Sequence, residues 1–171
     1  VPPGRRGMQP QLALTYNSSG GNGFVGVGWD LPVSFIAIDT RFGVPRYSTT
    51  EETETYLLDG AQLAPTAHQN GFEPRDTSGA KRFWRRAESE FERIVRFGDS
   101  PATYRWEVTA KDGTRRYYGW APGDAASAPA TIGAHNGRAR WYLRSIVDTF
   151  GNRVRFDYDR IGGAGHYEER S

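Results

Sequence analysis

The chain has 171 residues, no cysteine and a formal charge of +2, which makes it one domain or a piece of something longer and excludes disulfide scaffolds, thiol catalysis and cysteine-ligated zinc. No apolar run approaches the ~20 residues of a membrane helix; no charged-then-apolar signal peptide is present, and Val1-Pro2-Pro3 is not a natural start, so the chain is expected to have been cut from a larger protein. Leu, Ile, Val and Phe are sparse, but 5 Trp, 9 Tyr and 21 Gly point to an all-β fold: an aromatic core, antiparallel hairpins and glycine-rich turns.

In chain order, Leu12, Leu14 and Tyr16 alternate with polar or small residues as a one-faced strand, followed by a turn cluster over 17–23. Ser34 to Ile38 reads as a short strand, broken at Gly43-Val44-Pro45-Arg46-Tyr47. The acidic stretch Glu51 to Glu54 reads as a solvated turn leading into Tyr56-Leu57-Leu58, and Asp59-Gly60 offers a tight hairpin turn before Ala61-Gln62-Leu63. Residues 81–97 fit either a helical stripe or two strands joined near Glu88-Ser89-Glu90; the β character of the neighbouring segments favours strands.

Tyr104 to Ala110 and Thr114 to Trp120 form a hairpin around Asp112-Gly113, a loop that would place Val108 opposite Tyr117 and Trp106 opposite Gly119. That register puts Tyr118 and Trp120 on the polar face. The Ala/Pro/Gly/Ser-rich stretch 121–139 is expected to be a surface loop insert. A second hairpin follows, Trp141 to Asp148 and Arg153 to Asp159, with Val154, Phe156 and Tyr158 on one face. Both hairpins place arginine and aromatics after a turn glycine, as in a repetitive sheet. Residues 166–169 resemble the start of a further strand. The edge along Val154 to Tyr158 is expected to stay open, which would make the 1–171 segment self-associate.

The basic residues are 20 Arg against 2 Lys, balanced by acids in both halves, so no concentrated field is expected to attract polyanions. Gly21-Asn22-Gly23-Phe24-Val25-Gly26 spells a dinucleotide fingerprint but lacks the following helix. Ser48-Thr49-Thr50 and Glu52-Thr53-Glu54 carry the residue types of an arginine-type ADP-ribosyltransferase site, packed too closely to surround a ligand. Lys81-Arg82-Phe83-Trp84-Arg85-Arg86 mixes cations with aromatics, yet Glu88, Glu90 and Glu92 follow, so cross-strand ion pairing is preferred and no nucleic acid is expected. His68, His135 and His166 stand singly, Asp157 and Asp159 form only a D-x-D pair, and Asn17-Ser18-Ser19 is a sequon in form alone. No catalytic residue, metal ligand or cofactor is expected, and the chain reads as non-enzymatic.

The opening carries a longer signature. Pro2-Pro3-Gly4-Arg5-Arg6-Gly7-Met8-Gln9-Pro10, then Leu12 to Gly20 with Tyr16, then Gly23-Phe24-Val25-Gly26-Val27-Gly28-Trp29-Asp30-Leu31 resembles the N-terminal region of the SpvB/TcB family, the Salmonella plasmid virulence B proteins and the B components of insecticidal toxin complexes. Pro45, Arg46, Tyr47, Gly113, Gly151 and Asn152 belong to later pieces of the same likeness. The resemblance implies a single N-terminal β region over 1–171 that begins an Rhs/YD-like β-shell around a C-terminal toxic domain. It also implies a secreted bacterial toxin or virulence protein, with the rest of its own chain (YD-type repeats) and toxin complex A and C components as partners. A β-rich module binding glycan or another cell-surface ligand through exposed aromatics is the alternative.

Overall fold

The computed structural model describes residues 14–18, 22–23, 26–27, 29–65, 72–85, 91–124, 130–134, 137–161 and 168–170. Among them every regular element is a strand apart from one 3-10 turn, Thr40–Phe42. Near the N-terminus lie four two-residue strands: β1 (Thr15–Tyr16), β2 (Asn22–Gly23), β3 (Gly26–Val27) and β4 (Trp29–Asp30). β1 pairs with β4 and β2 with β3.

The main body is an eight-stranded closed antiparallel barrel. Its strands are β5 (Phe35–Ile38), β6 (Tyr56–Leu58), β7 (Ala61–Pro65), β8 (Ala80–Arg85), β9 (Arg93–Phe97), β10 (Arg105–Thr109), β11 (Arg115–Tyr118) and β13 (Gly137–Val147). Six of the links join consecutive strands of a meander. The closing strand is β13, whose first half pairs Tyr142 with Phe35 of β5 while its second half pairs Val147 with Arg115 of β11. β12 (Thr131–Ala134) and β14 (Arg153–Arg155) each add to β13 outside the ring, and β15 (Asp159–Ile161) pairs with β16 (Glu168–Arg170).

Period-2 alternation decides what the barrel encloses. Ile36 and Ile38 from β5, Tyr56 and Leu58 from β6, Leu63, Phe83, Ile94, Trp106, Val108, Tyr118, Trp141 and Leu143 point inward and form one cluster. The rings of Tyr56, Phe83, Trp106 and Trp141 meet edge-on or tilted at 4.9 to 5.9 Å. Such pairs add about 0.5–1.5 kcal/mol each beyond the area they bury. An eight-stranded barrel is just wide enough for side chains to fill it, and bulky aromatics make up for the scarce aliphatics.

The strand pairs expected at 56–63, 81–97 and 104–120 are present, the second strand of the 141–159 hairpin is shorter than expected and pairs only over Arg153–Arg155, and Asp59-Gly60 forms its tight turn with φ of 49° and 83°. Three expectations change. The 104–120 hairpin is shifted by one residue, pairing Val108 with Arg116 and Trp106 with Tyr118. The loop is three residues long, because the Ala110 N–H bonds the Thr114 carbonyl across Lys111-Asp112-Gly113 and Gly113 takes φ 85°. Tyr118 therefore turns into the core, 1% exposed. Second, part of the stretch 121–139 is strand, since Thr131–Ala134 is β12 and β13 begins at Gly137. Third, the sheet is not open. β11 pairs with β13 and closes it, and β14 has β13 as its partner, so among the described residues the edge expected along Val154 to Tyr158 is confined to the short strand β14.

Candidate functional site

The barrel interior holds charge as well as aromatic surface. Between the 3-10 turn and β6, residues 50–54 run against 73–75 as a strap: Glu51 bridges Pro74, the Glu52 N–H bonds the Glu73 carbonyl at 2.8 Å, and the Arg75 N–H bonds the Thr50 carbonyl at 2.9 Å. Glu52, Glu54 and Arg75 all turn from this strap into the protein.

Arg96 meets them from β9, in the same inward row as Trp106 and Lys81. Its Nη2 and Nη1 donate to Glu52 Oε1 and Oε2 at 2.6 and 2.9 Å, a bidentate fork. The guanidinium lies 3.8 Å from the centre of the Tyr104 ring, a cation–π contact strengthened by desolvation. Arg75 donates to Glu54 Oε2 at 2.8 Å, to Tyr104 Oη at 2.9 Å and to the Glu51 carbonyl at 2.8 Å. Glu54 Oε1 accepts from the Tyr47 N–H at 2.7 Å and the Thr53 hydroxyl at 2.6 Å. Both oxygens of each carboxylate are engaged, as buried charges require.

Burial alone would push the Glu52 carboxyl up. The Arg96 hydrogen bonds and charge, with Lys81 and the Asp76 N–H, outweigh it and hold the group below its ordinary value. Burial likewise would lower Arg75, but Glu54 and Tyr104 hold it above its ordinary value. The network thus keeps fixed charges paired and fastens the strap to the barrel wall.

A second anchor lies where β11 leads towards β12. Asp124 Oδ2 accepts from Arg144 Nε and from the Ala121 N–H, both at 3.0 Å, while Arg155 Nη1 stands 2.9 Å from Oδ1. Arg144 also donates to the Phe156 carbonyl at 2.8 Å, and the Tyr158 hydroxyl donates to the Leu143 carbonyl at 2.6 Å. These contacts hold the chain after β14 across β13.

The motif residues scatter over this frame. Gly4, Gly7, Gln9, Pro10 and Gly28, with His68, His135 and His166, lie outside the described residues. Tyr16 pairs with Trp29, and Gly23 with Gly26, so these two of the fingerprint-like glycines sit in a small hairpin, while Gly21 lies outside the described residues. Pro45 and Arg46 lead to Tyr47, which adopts φ 49°; a Cβ at Gly137 would collide with the Tyr47 ring. Gly113 and Gly151 take positive φ in their turns, and Asn152 bonds Asp148 through N–H and side chain.

Cross-strand ion pairing is present, Arg85 with Glu92 at 2.8 Å and Arg116 with Glu92 at 2.9 Å. The acidic stretch is not the solvated turn expected: Glu52 and Glu54 side chains are 8% and 1% exposed, because Arg75 and Arg96 balance them. The aromatics offered for glycan also change, with Tyr118 buried and bonded to Ser34, and Trp120 half-buried under Arg105. The buried Arg75 and Arg96 were missed; arginine without neighbouring acid in a strand of apolar residues, as in Arg93-Ile94-Val95-Arg96-Phe97, was the available signal. Among the described residues no helix is long and apolar enough to cross a membrane.

Residues 1–170 match the model of the family described as Salmonella virulence plasmid 65kDa B protein. The mono(ADP-ribosyl)transferase SpvB of Salmonella typhimurium is 28% identical over 167 residues, which cover 90% of this chain and 27% of that protein. The solved N-terminal domain of effector protein SpvB from Salmonella typhimurium strain LT2 superposes with a TM-score of 0.71 at 29% identity, covering 93% of this chain and 52% of that one. TcdB2-TccC3 gives a TM-score of 0.71 at 27% identity, over 94% of this chain and 8% of that chain. In the Photorhabdus luminescens Tc holotoxin pore the corresponding values are 0.70, 28%, 94% and 8%. The curated relatives overturn the expectation of a non-enzymatic protein, since they are named as transferases. This chain spans only 27% of the length of those enzymes.

Proposed function

The chain belongs to the family of the Salmonella virulence plasmid 65kDa B protein, and from that premise we propose that it is a wall segment of a toxin's β-shell, the part that encapsulates a C-terminal toxic domain of its own chain. It is the kind of domain found in the N-terminal part of toxin and virulence proteins. The observation that carries the finer reading is the TcdB2-TccC3 likeness, in which almost the whole barrel corresponds to a small fraction of a much larger chain. The packed interior supports it: a barrel filled by Trp106, Trp141 and the Glu52–Arg96 pair has no lumen for cargo, so it acts as building material. Its partners are the following YD-type repeats and, in an assembled toxin, the A and C components; the parent is secreted.

Limited proteolysis of the full-length parent tests this. The C-terminal segment should resist cleavage in the intact parent and become cleavable when Glu52→Gln loosens the barrel. A C-terminal segment digested in the intact parent as fast as the same segment alone would overturn the shell reading.

A further inference from the structure

The barrel's outer surface carries a row of arginines that no stretch of sequence displays. Arg93 on β9 pairs with Thr109 on β10, Thr109 with Arg115 on β11, Arg115 with Val147 on β13, and Val147 with Arg153 on β14. Residues in register across neighbouring strands share one face, and every second strand lies roughly 10 Å from the last. Arg93, Arg115 and Arg153 are all exposed. None makes a salt bridge with an acid among the described residues, although Arg115 feels Glu107 and the Tyr117 hydroxyl, and Arg153 donates to the Pro122 carbonyl at 3.3 Å. Arg82 and Arg155, also exposed, stand in the adjacent row, where Arg155 is tied to Asp124 and Asp157. Glu107 is the acid of that same row.

We propose that this face binds a linear sulfated glycan, with Arg93, Arg115 and Arg153 each holding an anionic group of the chain. Guanidinium forks match sulfate as they match carboxylate and phosphate, and they are weakly hydrated enough to hold such groups at an exposed surface. Charges that recur on every second strand around the wall fit an extended polymer of regular charge repeat, able to curve along them, better than a point anion. Between its arginines the row contains Thr109 and Val147 and no aromatic ring, so no series of rings alternates with the charges to stack successive bases of single-stranded nucleic acid. It follows the curved outer wall of the barrel, without the projecting helix or ribbon that enters a duplex groove. On β8, Trp84 is 47% exposed and offers an apolar ring to a sugar face at one end. This inference stands apart from the shell reading.

Heparin is the probe, titrated against the intact protein at low and high salt, with oligo-dT and poly-glutamate as competitors. Binding should be saturable and salt-sensitive. Arg93→Ser, Arg115→Ser and Arg153→Ser should each weaken it several-fold and reduce the salt slope by about one contact. Arg46→Ser, which removes an exposed charge elsewhere, should leave it unchanged, and Glu107→Gln should tighten it. Circular dichroism melts confirm that each variant is folded. The proposal fails if heparin is not retained, if Arg46→Ser costs as much as the row substitutions, or if oligo-dT or poly-glutamate displaces heparin at equal charge concentration.

Discussion

Glu52 and Arg96 face each other through two parallel hydrogen bonds of 2.6 and 2.9 Å, one residue on a strap and the other on β9. Their side chains are 8% and 1% exposed, so neither charge can be hydrated if the other is lost. Glu52→Gln should therefore destabilise the protein by about 3–5 kcal/mol, the range for breaking a buried pair from one side. Glu52→Gln combined with Arg96→Met should recover most of that loss. Urea denaturation of the wild type, both single variants and the double variant gives the cycle; additive losses would mean the pair is not coupled.

Stability should fall at both ends of the pH scale, for different groups. Glu52 has a folded value held below its ordinary one, so the unfolded chain binds the proton more tightly and stability rises with pH. The contribution is complete above about pH 4.3, the ordinary glutamate value, and is lost as pH falls through the folded value. Glu52→Gln should flatten that acid limb in thermal melts.

At the alkaline end, burial pushes the Tyr118 hydroxyl up to about 12 against the lowering effect of its Ser34 hydrogen bond. Burial raises Tyr56 as well. Here the folded state holds its protons more tightly, so stability is complete below about pH 10 and declines as pH rises above it. Absorbance titration of tyrosinate should show a late fraction in the folded protein that Tyr118→Phe reduces.

Two glycines separate backbone strain from collision. Gly119 takes φ 75°, and a Cβ there would come within 2.6 Å of Trp141 Cδ1 and 2.9 Å of Thr131 Cγ2. Gly123 takes φ 92°, and among the described residues a Cβ there would meet nothing within 4 Å. Gly123→Ala should cost about 1 kcal/mol, and Gly119→Ala about 2–4 kcal/mol, since overpacking adds to strain. Equal losses would mean that β11 is not held against Trp141.

The sequence shows its hairpins because each is written within a few consecutive residues, as in Asp59-Gly60 between Tyr56-Leu57-Leu58 and Ala61-Gln62-Leu63. The one-residue shift at Lys111-Asp112-Gly113 escapes it, because Asp-Gly suits a two-residue loop and, with its glycine in the left-handed region, a three-residue one. Barrel closure is less legible still, since β13 must find both Phe35 and Arg115. The acids at 52 and 54 look solvated because their counterions, Arg96 and Arg75, lie 44 and 21 residues away. The long opening motif carries the family, whereas much of it lies outside the described residues.

Closure of the barrel between β11 and β13 is the claim on which the rest depends, and amide hydrogen exchange measures it directly. Those amides of Arg115–Tyr118 and of the facing part of β13 that point across the β11–β13 seam should be as protected as the central amides of β9 and β10, and should exchange only with global unfolding. Fast exchange of those β11 amides, with β9 and β10 still protected, would mean that β11 is a free edge and the sheet is open.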